Sequence, residues 1–301
     1  MKVIFGSFEP KPSVCYKDEV TTGYNIIAQC CDGYWHNLLE YKDEADLVLS
    51  CSPPMEHFPT QKPMNWKKLV LLQESGFGVI NAWFFLNALI ASPFDAFLLH
   101  NRDMLDFYRV LGKPVYHFNH PYQWSISATS KSYKVPNRVM VNLSRIYSTE
   151  GNVTGTLAVI QRMPDLQFVC FCEQYELLRK WTKTLGINNL ICSPPLHWPL
   201  YMREAAMCSA FFSMDNRMTI GRFAMDAAAL STPCVGVASE AQTNLFPEFL
   251  VEPTQIQEAT RKLRTALSFA DWNVPAERKA PYDIYRFRTE FPSLCERILS
   301  D

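Results

Sequence analysis

The 301 residues suffice for one or two domains, and a hydrophobic share of 48% fills cores of ordinary size. A formal net charge of −1 excludes a global electrostatic pull toward nucleic acid or anionic lipid. Local basic runs such as Arg261-Lys262-Leu263-Arg264 and Arg286-Phe287-Arg288 read as solvated helix faces.

Met1 to Gly6 is a short apolar strand without a basic leader or a small-residue cleavage site, so no signal peptide is expected. Lys2–Phe5, Ala45–Ser50, Lys68–Leu72, Ala96–Leu99 and Val115–Phe118 read as strands, with helices over Gly23–Leu39 and Val79–Ser92. The uncharged stretch Phe77–Phe94 approaches the length of a bilayer span. Gly78, Asn81, Asn87 and Pro93 interrupt it, and a buried helix is expected, with membrane contact peripheral at most.

A polar segment over 126–137 reads as a linker, and a second α/β series follows. Its strands are Arg138–Leu143, Gln167–Phe171, Asn189–Cys192, Ala210–Ser213 and Cys234–Val237. Its helices are Gly151–Arg162, Tyr175–Leu185, Leu200–Met207, Gly221–Leu230 and Gln255–Phe269. An amphipathic segment, Tyr282–Leu299, comes after the strands have run out. Alternation of short apolar runs with helices is the mark of parallel-sheet architecture. The fold class is therefore α/β, two Rossmann-like domains facing each other across a cleft. The domains are 1–125 and 138–280, and 281–301 is a helix expected to pack back on the first. Ten cysteines without a C-x-x-C pair, several inside strand-like runs, suit reduced thiols in a cytoplasmic protein.

The segment Ser213 to Gly236 carries the chemistry. It reads as a strand end, a polar loop and a helix whose first turn, near Thr219 to Arg222, offers free amide groups to a phosphate. Arg217 or Arg222 adds charge, and Asp226 suits a ribose diol. An ordinary crossover helix with a surface aspartate fits the same residues. His117 and His120, three apart with no carboxylate or thiol beside them, do not make a metal site.

On these residues the chain resembles the nucleotide-sugar glycosyltransferases of the GT-B fold, in particular retaining family 4. That family has a glutamate, seven residues and a second glutamate, then an Ala-rich helix and a Gly-Thr-Pro turn. Here Gly221 sits in the loop, Asp226 stands at the second acidic position, and Ala227 to Pro233 closes the helix. Met218 replaces the first glutamate. Val139 to Gly151 is similar to the strand and loop that open the family's donor domain, with Arg145 at the diphosphate arginine. Ser144 replaces a glycine and Glu150 the phosphate-binding lysine.

The resemblance implies a donor site of Gly23, Arg145, Thr219, Gly221 and Asp226, with backbone groups near Leu196 and His197 meeting the nucleobase beside Trp198 as a stacking wall; Arg217 or Arg222 is the candidate to compensate for Glu150. It places Glu74 and His100 at strand ends as acceptor-side or base-like groups. It also implies metal-independent transfer from a UDP or GDP sugar to a hydroxyl acceptor, with retention and with no cofactor beyond the donor. Two other readings stay open. One is a phage or viral transferase acting on a nucleobase in DNA, with Lys62, Lys67, Lys68, Lys131 and Lys134 as a groove. The other is a non-catalytic nucleotide- or partner-binding protein.

Overall fold

The structure is a computed structural model. It describes residues 1–8, 23–51, 59–73, 82–125, 133–143, 146, 151–216, 219–269 and 271–301, with positions 23, 73 and 82–85 described by their backbone alone. The chain divides into two compact units, Met1–Gln123 with Ala280–Asp301, and Trp124–Lys279.

In chain order the first unit holds β1 (Val3–Ser7), α1 (Gly23–Cys30), β2 (Trp35–Asn37), β3 (Ala45–Cys51) and β4 (Trp66–Gln73). α2 (Ala82–Ala91), β5 (Ala96–Leu99), α3 (Leu105–Arg109) and β6 (Val115–His117) follow. The second unit runs β7 (Val135–Val141), α4 (Val153–Gln161), β8 (Gln167–Phe171), α5 (Tyr175–Thr184), β9 (Leu190–Ser193) and α6 (Trp198–Ala206). It continues with β10 (Cys208–Ser213), α7 (Arg222–Ala229), β11 (Cys234–Gly236), α8 (Glu240–Leu245), α9 (Ile256–Leu267) and α10 (Ala276–Lys279). α11 (Ile284–Ser300) returns to the first unit.

The first sheet has the order β2-β1-β3-β4-β5-β6 and the second β11-β10-β7-β8-β9. Every pairing is parallel. Central strands of such a sheet are buried on both faces, which is why Leu69 to Leu72 and Ala96 to Leu99 are continuous apolar runs. In the first unit Phe5, Leu47, Leu49, Val70, Leu72 and Leu98 pack under α1 and α11. Their neighbours Ile4, Val48, Leu69, Leu71 and Phe97 meet Leu89, Met104 and Tyr108 on the opposite face.

α11 presents Ile284, Phe287, Phe291, Leu294, Cys295 and Ile298 to that sheet. Their spacing is one helical stripe. Burying each such apolar side chain contributes on the order of 1.5–3 kcal/mol. Pro292 lies on the exposed side of the helix. The Tyr122 amide donates to Tyr282 O at 2.6 Å, which pins the departing and returning strands of the chain together.

Several elements differ from expectation. The helix over Gly23–Leu39 stops at Cys30, because Gly33 adopts φ 87° and its amide turns back to Ala28 O. The residues beyond form β2, an edge strand on β1. β7 begins at Val135, and a bulge between its pairings with Cys208 and Ala210 takes up Pro136 and Asn137, the latter at φ 61°. The remaining expected linker residues, 126–132, lie outside the described residues, as do 79–81 of the second expected helix. α3, α8 and α10 are short helices the pattern did not show. Among the described residues no helix is long and apolar enough to cross a membrane.

Candidate functional site

In the second sheet the strand order reverses between β7 and β10, and parallel α/β sheets bind ligands at the carboxyl ends of such strands. There Asn142 Nδ2 donates to Ser213 Oγ at 3.4 Å, and the Asn142 amide donates to Phe212 O at 3.1 Å. The loop after Ser213 leads into α7.

Gly221 starts that helix in the left-handed region, φ 78° and ψ 42°. A side chain there would run into Ser239 Oγ, so the loop lies directly on the N-terminus of α8. Thr219 Oγ1 accepts from the Gly221 amide at 3.3 Å. The carbonyls of Thr219 and Ile220 accept from Glu240 N at 3.2 Å and Ala241 N at 3.0 Å. Ser239 Oγ takes Gln242 N at 3.2 Å. The first turn of α8 is thereby satisfied internally. Among the described residues no side chain caps α7, whose first turn carries the positive end of its dipole.

One turn in, Asp226 is 4% exposed, and Arg222 Nε lies 3.4 Å from its Oδ1. The Arg222 guanidinium sits 5.7 Å from the centre of the Trp198 ring. Trp198 opens α6, with Pro199 fixing its first turn. Its buried Nε1–H finds no acceptor among the described residues. Tyr201, one turn further along α6, has its hydroxyl pushed well up by burial and then by the Asp226 carboxylate. An aromatic plane, a guanidinium, a buried carboxylate and an uncapped helix end thus converge. Such a constellation can take a planar base, a diphosphate and a diol.

Of the expected donor residues, Thr219, Gly221, Arg222 and Asp226 come together on this loop and helix. His197 precedes Trp198 and is exposed; its carbonyl, not its ring, accepts from the Tyr201 amide at 2.9 Å. Arg145 lies outside the described residues, as do Ser144, Glu150, Arg217 and Met218. Gly151 is described and precedes α4, which Asn152 caps by accepting from Gly155 N at 3.2 Å.

Glu74 also lies outside the described residues. Gly23 is the first residue of α1. His100 ends β5 fully buried, and desolvation drives its pKa down to about 3. Its imidazole is therefore neutral at ordinary pH, a hydrogen-bonding group and not a base that titrates near 7. His120 Nδ1 lies 3.3 Å from His100 Nε2, and the Tyr24 ring stands edge-on to His120 at 6.0 Å. Gly23 and His100 are thereby linked through Tyr24 and His120. His117 Nε2–H donates to His100 O at 3.1 Å, and burial together with Arg102 holds its pKa near 4.

Tyr201 and Ser239 were not anticipated. Tyr201 follows Trp198 by three residues, the spacing of one helix face. Ser239-Glu240-Ala241-Gln242 is a readable N-terminal capping pattern, which would have located the start of α8.

No protein-family model matches the chain, and no curated protein matches it in sequence. Solved structures do match. A sucrose-phosphate synthase from Thermosynechococcus elongatus superposes with a TM-score of 0.67 at 10% identity, over 85% of this chain and 74% of the other. A UDP-forming trehalose-phosphate synthase from Burkholderia xenovorans gives 0.59 at 12% identity, over 87% and 76%. The pneumococcal O-GlcNAc transferase GtfA, in complex with UDP and GlcNAc, gives 0.58 at 10% identity. That match covers 86% of this chain, and the chain spans 58% of GtfA's length. At these identities the likeness establishes the fold, two parallel-sheet α/β units of the GT-B type.

Proposed function

We propose that this GT-B chain transfers a glycosyl group from a nucleoside-diphosphate sugar to a hydroxyl acceptor. The observation that carries the reading is the uncapped start of α7 at Gly221, one turn before a buried Asp226 paired to an Arg222 whose guanidinium lies within cation–π distance of Trp198. The donor base lies against Trp198. Asp226 accepts from the ribose hydroxyls. The amides at the start of α7 and the Arg222 guanidinium receive the departing diphosphate, whose charge grows as the glycosidic bond breaks.

Fixed donors of this kind need no reorganisation during the reaction, so positioning and charge stabilisation supply the rate. Arg145 adds a further diphosphate contact. UDP and GDP sugars are the donors in this proposal, transfer needs no metal ion, and the outcome is retention. Three of the matched structures were described with UDP or a UDP sugar, which supports the choice of donor class.

The test is a panel of UDP and GDP sugars scored by thermal shift and by hydrolysis or transfer, run on the native chain and on Asp226→Ala. Donor-dependent stabilisation that the substitution removes, with turnover of at least one sugar, is the expected result. Stabilisation without turnover overturns the enzymatic reading, and equal stabilisation of Asp226→Ala removes this residue from the site.

A further inference from the structure

The first unit contains a pocket that the nucleotide-sugar reading does not use. About 600 Å3 in volume, it lies between the residues that follow β6 and the exposed flank of α11. That volume is within the ordinary range for small-molecule sites. Its floor is aromatic, formed by Phe118 and Phe287, whose rings stand 5.6 Å apart. Its walls carry Arg102, Arg286 and Arg297 against one carboxylate, Glu290.

The three arginines are not equivalent. Arg286 Nε donates to Glu290 Oε1 at 2.8 Å, so that pair is close to neutral. Arg297 lies 5.7 Å from the centre of the Tyr116 ring and pairs with no carboxylate among the described residues. The nearby Asp301 carboxylate accepts from the Tyr116 hydroxyl at 2.8 Å and does not line the pocket. His117 contributes no charge near neutrality, for the reason given above. Arg297 therefore gives the pocket a positive charge that no described carboxylate offsets, over an apolar floor. An arginine fork matches the oxygens of a phosphoryl group in geometry as well as in charge.

We propose that this pocket binds a phosphorylated small molecule, its phosphoryl group on Arg297 with Arg102 adding charge, and its organic part over Phe118 and Phe287. The proposal is independent of glycosyl transfer. The ligand's source is either free phosphate or a phosphate ester, and the two differ in what the aromatic floor contributes.

The experiment is calorimetry of the full chain at low salt with inorganic phosphate, a hexose phosphate and the unphosphorylated hexose. It is repeated on Arg297→Gln and on Ser293→Glu, which adds a carboxylate at an exposed position on the pocket wall and keeps every arginine. Saturable binding of the phosphorylated compounds, absent for the free hexose and weakened about tenfold or more in both variants, is the expected result. A hexose phosphate about tenfold tighter than phosphate identifies an ester as the ligand; equal affinities identify phosphate itself. No saturable binding up to about 10 mM overturns the proposal, as does binding that both variants retain. UDP-induced stabilisation is measured in the same samples, so failure here is distinguishable from failure of the donor site.

Discussion

Gly221 and Ser239 are joined by shape: the Ser239 hydroxyl occupies the space that a side chain on Gly221 would need. Ser239 is held there because its Oγ caps α8 through Gln242 N. Gly221→Ala must therefore strain a left-handed residue and displace the cap as well. A loss of about 2–4 kcal/mol is expected from the two costs together, read as a fall in denaturant midpoint at unchanged slope. Ser239→Ala in the same background removes the hydroxyl and should recover part of that loss. A cycle with no coupling between the two positions would contradict the contact.

Acid should unfold the first unit through its buried histidines. In the folded chain His100 titrates at about 3 and His117 at about 4, both below the ordinary value of 6.5. Above 6.5 both states are neutral and the histidines cost nothing. Below it the unfolded chain takes up protons that the folded chain refuses, so stability falls from about pH 6.5 to about pH 3. His100→Gln should flatten that fall, measured as denaturant midpoint against pH. An unchanged slope would show that His100 is not shielded as described.

Ser231 holds φ 51° at the residue where α7 turns into the Thr232-Pro233 exit. The Thr232 amide donates back to Ala227 O at 3.0 Å across it. This is the helix-ending conformation that glycine adopts without steric cost. Ser231→Gly should stabilise the chain by up to about 1 kcal/mol, less the greater freedom glycine has when unfolded. The backbone contacts of Ser231 O with Trp272 N and Lys134 Nζ are untouched by the change, so a loss of stability would contradict the argument.

The limits of sequence reading are visible at particular residues. Ala96 to Leu99 and Phe168 to Cys170 were legible because a strand buried on both faces has to be apolar throughout. β2 was not legible. Trp35, His36 and Asn37 have no alternation, and their strand character comes from pairing with Phe5, Gly6 and Ser7 some thirty residues earlier. The α7 segment was readable as a helix over Gly221–Leu230, which the structure starts one residue later, at Arg222. The partnership of Arg222 with both Asp226 and Trp198 was not, since it brings α6 and α7 together. Burial of His100 is likewise a tertiary fact: in sequence it is only a histidine ending an apolar strand.

The β1–β2 pairing gives its own test. A Cβ on Gly6 would collide with the backbone oxygen of His36, which cannot rotate away. Gly6→Ala should push β2 off the edge of the sheet, expose the amides of Trp35 to Asn37 and cost about 1–3 kcal/mol. Hydrogen exchange at Leu38 is the readout, because its amide donates to Ser7 O at 2.8 Å only while β2 is docked. Protection retained at Leu38 would mean that the edge strand can yield.

Arg222 separates the structural and ligand roles of the proposed donor site. Its Asp226 partner is 4% exposed, so Arg222→Gln removes a charge-assisted contact from a desolvated carboxylate. A loss of about 1–3 kcal/mol is expected, the lower range because the 3.4 Å separation is long for such a bond. Arg222→Lys keeps the charge but not the planar guanidinium that faces Trp198 at 5.7 Å from the ring centre. If Arg222 only supports Asp226, lysine should restore stability and UDP binding together. If it also receives the diphosphate and orders the base platform, lysine should restore stability while UDP affinity stays about tenfold or more below native. Thermal shift with and without UDP on both variants distinguishes the two. Full recovery of UDP affinity by lysine would remove the Arg222 guanidinium from the proposed donor site.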